Sequence, residues 1–301
     1  MKLMTYKKGQ EEQVGLLHAD GERIAPVRAL GLSCRSMNEL ICGWTERERE
    51  TLLAAPESAF SLRWEDVEVL APIPRPRQDV ICLGLNYTEH AEEAAGYSRE
   101  AFEKKQARFA VYFSKRVNTA PGPGGIIPAH TGLVDRLDYE SELAVILGKD
   151  VRDARPEDVP GVIFGYTVLN DVSARNLQTA HQQWYFGKSL DGFTPMGPVI
   201  TTADEIAFPP DLGIRSRVNG ELRQNSRTGL LISGIADIIC ELSRGMTLQA
   251  GTIIATGTPK GVGMGFDPPR WLQPGDVVEC EIDGIGTLRN TVRTESETDH
   301  S

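Results

Sequence analysis

Alternation of apolar and polar residues is clearest near the end of the chain. Val278, Cys280 and Ile282 alternate with Glu279 and Glu281, the period of a half-buried strand, and Asp283-Gly284 after them is a hairpin turn. Asn219-Gly220 marks a second hairpin, and Val14-Gly15-Leu16-Leu17, a turn at Asp20-Gly21 and the run Ile24 to Val27 predict a third. Val80 to Leu83, ending at Gly84, and Phe164 to Leu169 are short apolar strands, and Glu140 to Leu147 starts alternating and ends apolar. Helical spacing is rarer. Ile235, Ile238, Ile239 and Leu242 line one face of a helix that starts at Ser233 and stops near Gly245. Thr45 and Glu48 fit a capping box, and Val172 to Ala180 reads as helical. Pro72, Pro74 and Pro76 alternate through a stiff extended stretch, the candidate linker. The pattern predicts a mixed α/β chain, mostly β. It comprises a small N-terminal α+β domain over 1–73, a larger strand-rich unit over 74–293 and a polar, disordered tail over 294–301.

A chain of 301 residues can bury a substantial core. Its net charge of -10 argues against nucleic acid and anionic membranes as partners, and an anionic substrate would need cations of its own in the site. The cysteines Cys34, Cys42, Cys82, Cys240 and Cys280 are scattered and form no CxxC pair. That argues against a disulfide framework or a zinc site and makes a reducing cytosol the default. The first residues lack the apolar core of a signal peptide, and no apolar run is long enough to span a bilayer.

Five motifs could carry chemistry. In Asp138-Tyr139-Glu140-Ser141-Glu142-Leu143, residues two apart on a strand put the carboxylates of Glu140 and Glu142 on one face. Such a pair is unfavourable unless a cation lies between them or one is protonated, although a solvent-facing strand shows the same spacing. Asn170-Asp171 ends an apolar strand, and Asp171, Arg175 and Gln178 have the spacing of one helix face; an Asp171 cap with an Asp171–Arg175 ion pair is the bland alternative. Glu140, Glu142 and Asp171 together offer three hard oxygen donors, a set that suits Mg²⁺ or Mn²⁺ rather than zinc. In Gly84-Leu85-Asn86-Tyr87-Thr88-Glu89-His90-Ala91-Glu92-Glu93, His90 and Glu93 are helical neighbours, and a carboxylate beside an imidazole suits a general base; a surface helix with an incidental histidine would look alike. Gly187-Lys188-Ser189 holds a lysine that could stabilise an enolate or lie on the surface. Thr256 to Gly263 is glycine-rich and could let a ligand approach the backbone closely, but it matches neither a Walker loop nor GxGxxG.

The set and its order, Gly-Leu-Asn-Tyr-x-x-His-x-x-Glu (84–93), Asp-Tyr-Glu-x-Glu-Leu (138–143), Asn-Asp-x-x-x-Arg-x-x-Gln (170–178), Gly-Lys-Ser (187–189) and Thr-Gly-Thr-Pro-x-Gly-Val-Gly (256–263), resembles the fumarylacetoacetate hydrolase superfamily, in the bacterial form with a small N-terminal domain. The resemblance covers about 80 to 290. It implies a mixed β-sandwich roll, a homodimer, and a divalent cation on Glu140, Glu142 and Asp171. It makes His90 and Glu93 a catalytic dyad on a lid, Lys188 a catalytic assistant, and Arg175, Gln178, Gly257 and Thr258 substrate contacts. One departure stands at Lys115-Arg116-Val117-Asn118-Thr119, where family members often show Lys-Pro, so no substrate contact is carried over there. The expected substrate is a small 2-oxo or 1,3-diketo carboxylate. Hydrolysis of a C–C bond in an acylpyruvate-like acid is the leading expectation. Isomerisation of a 2-hydroxydienoate and decarboxylation of oxaloacetate are the alternatives, and a non-catalytic metal-binding dimer is the remote one.

Overall fold

The computed structural model describes residues 1–97 and 109–294. Its centre is a sheet of eleven strands among these residues. The middle strands, Ile163–Asn170 and Ser141–Leu147, are buried at every position. The apolar runs require this, because such a strand needs cover on both faces. Leu143, Val145 and Leu147 point into one core, while Ala144 and Ile146 point into the other.

A five-stranded sheet covers the first face. It runs in the order Glu221–Arg227, Gly213–Val218, Val277–Ile282, Gly286–Arg293, Ile126–Pro128. The alternation of Val277–Ile282 holds, with Val278, Cys280 and Ile282 in the shared core. Asn219 and Gly220 have φ of 52° and 82°, so the turn twists with its flanking strands as a type I′ hairpin must. The second face is covered by the N-terminal helices Met37–Cys42 and Glu46–Leu53, through Met37, Leu40, Ile41 and Leu52. The Thr45–Glu48 capping box is present.

Three features differ from the sequence pattern. Strand Lys2–Lys8 pairs with Glu11–Leu17 on one side and with Met196–Thr202 on the other, so the large sheet passes through both sequence units. Around Pro72, Ala71 and Ile73 are fully buried and Thr5 Oγ1 donates to the Pro72 carbonyl at 2.6 Å, so the start of the candidate linker packs into the core. The helix expected from Val172 begins only at Arg175, because Ser173–Ala174 spend their backbone groups on Leu137–Asp138. The helix near Ser233 runs Ile235–Ser243, its start held by Asp237, whose carboxylate accepts from Gly234 N. Residues 295–301 of the expected disordered tail lie outside the described residues. Among the described residues no helix is long and apolar enough to cross a membrane.

Candidate active site

Five neighbouring strands of the large sheet bring the site together. Ser141–Leu147 pairs antiparallel with Ile163–Asn170 on one side and with Ile253–Ala255 on the other. Ile253–Ala255 pairs in parallel with Val80–Gly84, which in turn pairs with Val111–Lys115. Parallel pairing aligns the C-terminal ends of Ile253–Ala255 and Val80–Gly84 with the start of Ser141–Leu147, so every motif empties into one place.

Glu140 precedes its strand by one residue, and Asp171 follows its strand directly. Their segments are stitched by Asp171 N donating to the Glu140 carbonyl at 2.8 Å and Glu140 N donating to Asn170 Oδ1 at 3.0 Å. Glu142 lies on the next strand position facing the same way, and its carboxylate accepts from Gly257 N at 2.8 Å. One oxygen from each of Glu140, Glu142 and Asp171 lies within 4.8 Å of the others, and all three residues are buried. These are hard donors converging on a point, the arrangement that fits a divalent cation such as Mg²⁺ or Mn²⁺.

Buried cations already offset part of that charge. Lys188, at the end of the short helix Tyr185–Lys188, donates to Glu140 Oε2 at 2.7 Å and to Asp171 Oδ2 at 2.6 Å. Lys115, fully buried, donates to Asp171 Oδ1 and to the Val172 carbonyl. Arg175 Nε donates to Asp138 Oδ2 at 2.8 Å, and its Nη2 lies 2.7 Å from Glu140 Oε1. Burial would raise the Glu140 pKa, but the Lys188 and Arg175 charges outweigh it and hold the carboxyl below the usual range. Glu142 has no cationic partner among these contacts. Burial, then the charges of Asp171 and Glu140, push its carboxyl well above the usual range. A buried carboxyl with no cation paired to it, beside two that have one, is the place a metal cation would satisfy.

His90 and Glu93 lie on the helix Thr88–Tyr97, as their spacing predicts. His90 Nδ1 is 3.1 Å from Glu93 Oε2, which directs the other ring nitrogen elsewhere. His90 lines a pocket with Glu140, Glu142, Arg175, Gln178, Lys188 and Thr258. Leu83, Leu85, Phe113 and Trp184 make its apolar side. The Trp184 ring stacks edge-on to Phe113 at 5.3 Å and lies against Gly84, where any Cβ would come within 2.2 Å of the ring. From the stretch 181–186, Trp184 is the pocket residue, whereas Gln182, Gln183 and Tyr185 are exposed.

The expected substrate contacts prove to be committed in part to the protein itself. The anticipated Asp171–Arg175 pair is replaced by Arg175 pairs with Asp138 and Glu140, because Asp171 stands off the helix and is taken by the two lysines. Arg175 Nη1 donates to Gln178 Oε1 at 2.9 Å, which fixes the amide and leaves its Nε2 as the donor side. The Gly257 N–H serves Glu142, and the Thr258 hydroxyl donates to the Ser141 carbonyl while accepting from Gln224. Gly257 sits at a φ of 98° with a Cβ position only 2.8 Å from Asn86, so no side chain fits there.

Four residues of the site were given no role by the sequence pattern. Lys115 and Asp138 are the counter-ions described above. Gln224 accepts from Ser141 N and donates to Thr258 Oγ1 and the Pro259 carbonyl, and Asn86 ties the Gly84 loop to Thr256 and Ser233. Asp138 and Asn86 stand inside quoted motifs and Lys115 at the noted departure, whereas Gln224 lies in no motif.

Comparison with known proteins agrees with this geometry. The family model described as Fumarylacetoacetate (FAA) hydrolase C-terminal matches residues 79–293. Oxaloacetate tautomerase YisK of Bacillus subtilis is 42% identical over 291 residues, which is 97% of this chain and 93% of that protein. The solved fumarylacetoacetate hydrolase of Exiguobacterium antarcticum is 40% identical, with a TM-score of 0.83 over 98% of this chain and 100% of that one. Maleylpyruvate hydrolase from Sphingobium is 31% identical, with a TM-score of 0.75 over 98% of this chain and 100% of that one. Motifs, fold and site geometry agree, and the chain belongs to the fumarylacetoacetate hydrolase superfamily.

Proposed function

We propose that this chain catalyses metal-assisted proton transfer beside the 2-oxo group of a short 2-oxo dicarboxylate, specifically keto–enol tautomerisation of oxaloacetate. The observation that carries the reading is a buried imidazole, paired with Glu93, that lines one pocket with Glu140 and Glu142 of the three convergent carboxylates. The 42% identity to a protein named oxaloacetate tautomerase supports the same substrate.

A divalent cation held by Glu140, Glu142 and Asp171 would supply Lewis-acid polarisation of the 2-oxo group. His90, its Nδ1 held by Glu93, removes a proton from C3 with its other nitrogen. The C–H electron pair becomes the C2–C3 double bond, and the carbonyl pair moves onto the C2 oxygen. Lys188 has three N–H groups and spends two on Glu140 and Asp171, so the third can meet the developing oxyanion. Return of the proton from His90 to that oxygen completes the enol, with no atom gained or lost. Gln178 Nε2 donates to a substrate oxygen. With Asp138, Glu140, Glu142 and Asp171 ionised, Lys115, Lys188 and Arg175 leave the cluster one negative charge in excess. A bound divalent cation would leave the cluster net positive, which suits an anionic substrate.

Hydrolysis of an acylpyruvate-like 1,3-diketo acid uses the same residues, with water giving its proton to His90. The likeness to two named hydrolases supports this second reading. The narrow pocket, with Trp184 against Gly84, favours the shorter substrate. The test follows the enol absorbance of oxaloacetate with metal-loaded protein and reads product masses. Faster equilibration at unchanged mass, lost in His90→Ala, is expected. Pyruvate with CO2 would replace the proposal by decarboxylation. Pyruvate with a second acid, from an acylpyruvate alone, would replace it by hydrolysis.

A further inference from the structure

The carboxylate of Glu93 is held from two sides, and only one of them is His90. Its Oε1 accepts from Gly261 N at 2.9 Å, in the loop that follows Ile253–Ala255. Gly261 has a φ of 101°, and a Cβ there would lie 2.1 Å from the Arg223 carbonyl. The backbone therefore needs glycine to turn this N–H toward the helix. The same loop seats the helix through apolar contact, since Ala94 packs with Val262 and Met264.

Gly265 closes the arrangement. A Cβ at this position would stand 2.0 Å from Glu93 Oε1, 2.1 Å from its Cδ and 2.4 Å from its Cγ. Gly265 is exposed and does not have a left-handed φ, so its own backbone conformation accepts alanine. The three atoms nearest that added methyl all belong to Glu93, whose flexible end can move aside at small cost in stability. What moving it removes is the bond to Gly261 N and the geometry at His90.

We infer that the loop Gly261–Gly265 is a template for the His90–Glu93 pair, and that Gly265 acts as a positioning residue by leaving room for the Glu93 carboxylate. This rests on the reading of His90 and Glu93 as the proton-transferring pair. Gly265 touches no substrate atom. Its effect belongs on the chemical step.

The experiment is a double-mutant cycle on the metal-loaded protein with Gly265→Ala, Glu93→Ala and the double variant, measuring kcat, KM and thermal midpoint for oxaloacetate tautomerisation. Gly265→Ala is expected to lower kcat about 10- to 100-fold, the effect of losing a hydrogen bond to a charged group, with KM changed less than about threefold. In the Glu93→Ala background the same substitution should change neither kcat nor midpoint, because the atoms it displaces are gone. If Gly265→Ala fails to fold but folds normally with Glu93→Ala, the displaced group is still identified as Glu93 and the inference stands. An unchanged kcat in Gly265→Ala, or an equal loss in both backgrounds, overturns it. Glu93→Ala by itself separates the two levels. If that variant keeps full kcat, the catalytic reading fails; if it is crippled while Gly265→Ala is active, only the template fails.

Discussion

Asp171→Asn and Glu142→Gln each remove one carboxylate from the same cluster, yet they should affect the metal-free fold very differently. Asp171 is fully buried and accepts from Lys115 through Oδ1 and from Lys188 through Oδ2 at 2.6 Å. Asparagine removes the charge that both ammonium groups face. Lys188 keeps Glu140, but Lys115 is left with the Val172 carbonyl at 3.0 Å. Deleting one partner of a buried ion pair costs about 3–5 kcal/mol, because the other charge stays in a place without water. Part of that is recoverable, since burial lowers the pKa of Lys115 and eases loss of its proton. Glu142 is the opposite case. Burial and the neighbouring Asp171 and Glu140 charges already favour its neutral form, so glutamine replaces one neutral group by another, and Gly257 N still finds an acceptor. The expected cost is about 1 kcal/mol or less. Urea unfolding of chelator-treated proteins at neutral pH reads both values, and a metal titration of Glu142→Gln should show affinity weakened by at least about tenfold. Equal destabilisation of the two variants would refute the reasoning, because it would mean that charge pairing does not distinguish the two carboxyls.

Glu142 also predicts a pH dependence. Above about pH 4.3 the unfolded chain has lost the proton that the folded, metal-free chain still holds there, so the stability this group contributes falls as pH rises toward its raised pKa. Metal binding must displace the same proton; calorimetry in buffers of different ionisation enthalpy should report proton release, and apparent metal affinity should tighten with pH. His90→Ala should lower kcat by about 10²–10⁴-fold with little change in KM, as loss of a general base does, and steady-state kinetics on the metal-loaded variant checks it. Gln224→Leu should destabilise the fold by about 1–3 kcal/mol, since it strands the buried Ser141 N–H, and thermal or urea unfolding reads that loss.

Local patterns carried most of what could be read along the chain. Alternation at Val278–Ile282 and the Asn219-Gly220 turn depend on neighbours one or two residues away, and both features stand in the structure. Glu140 with Glu142, and His90 with Glu93, were legible for the same reason: each pair is close in sequence, and its geometry follows from the element that carries it. Reading Val172 to Ala180 as one helix failed because Ser173–Ala174 have a strand partner at Leu137–Asp138, a contact that local periodicity does not encode.

The sequence by itself therefore determined which residue types stand at which step of each strand and helix, and with them the donor set Glu140, Glu142 and Asp171 and the imidazole of His90. Tertiary structure decided what those groups face. Lys115 and Asp171 are 56 residues apart, Arg175 and Asp138 37 apart, and Gly261 and Glu93 168 apart. Strand order and register bring each of these pairs together in a core where water is excluded. There, which carboxyl gains a cation and which is left neutral depends on distances of about 3 Å that only the assembled sheet sets.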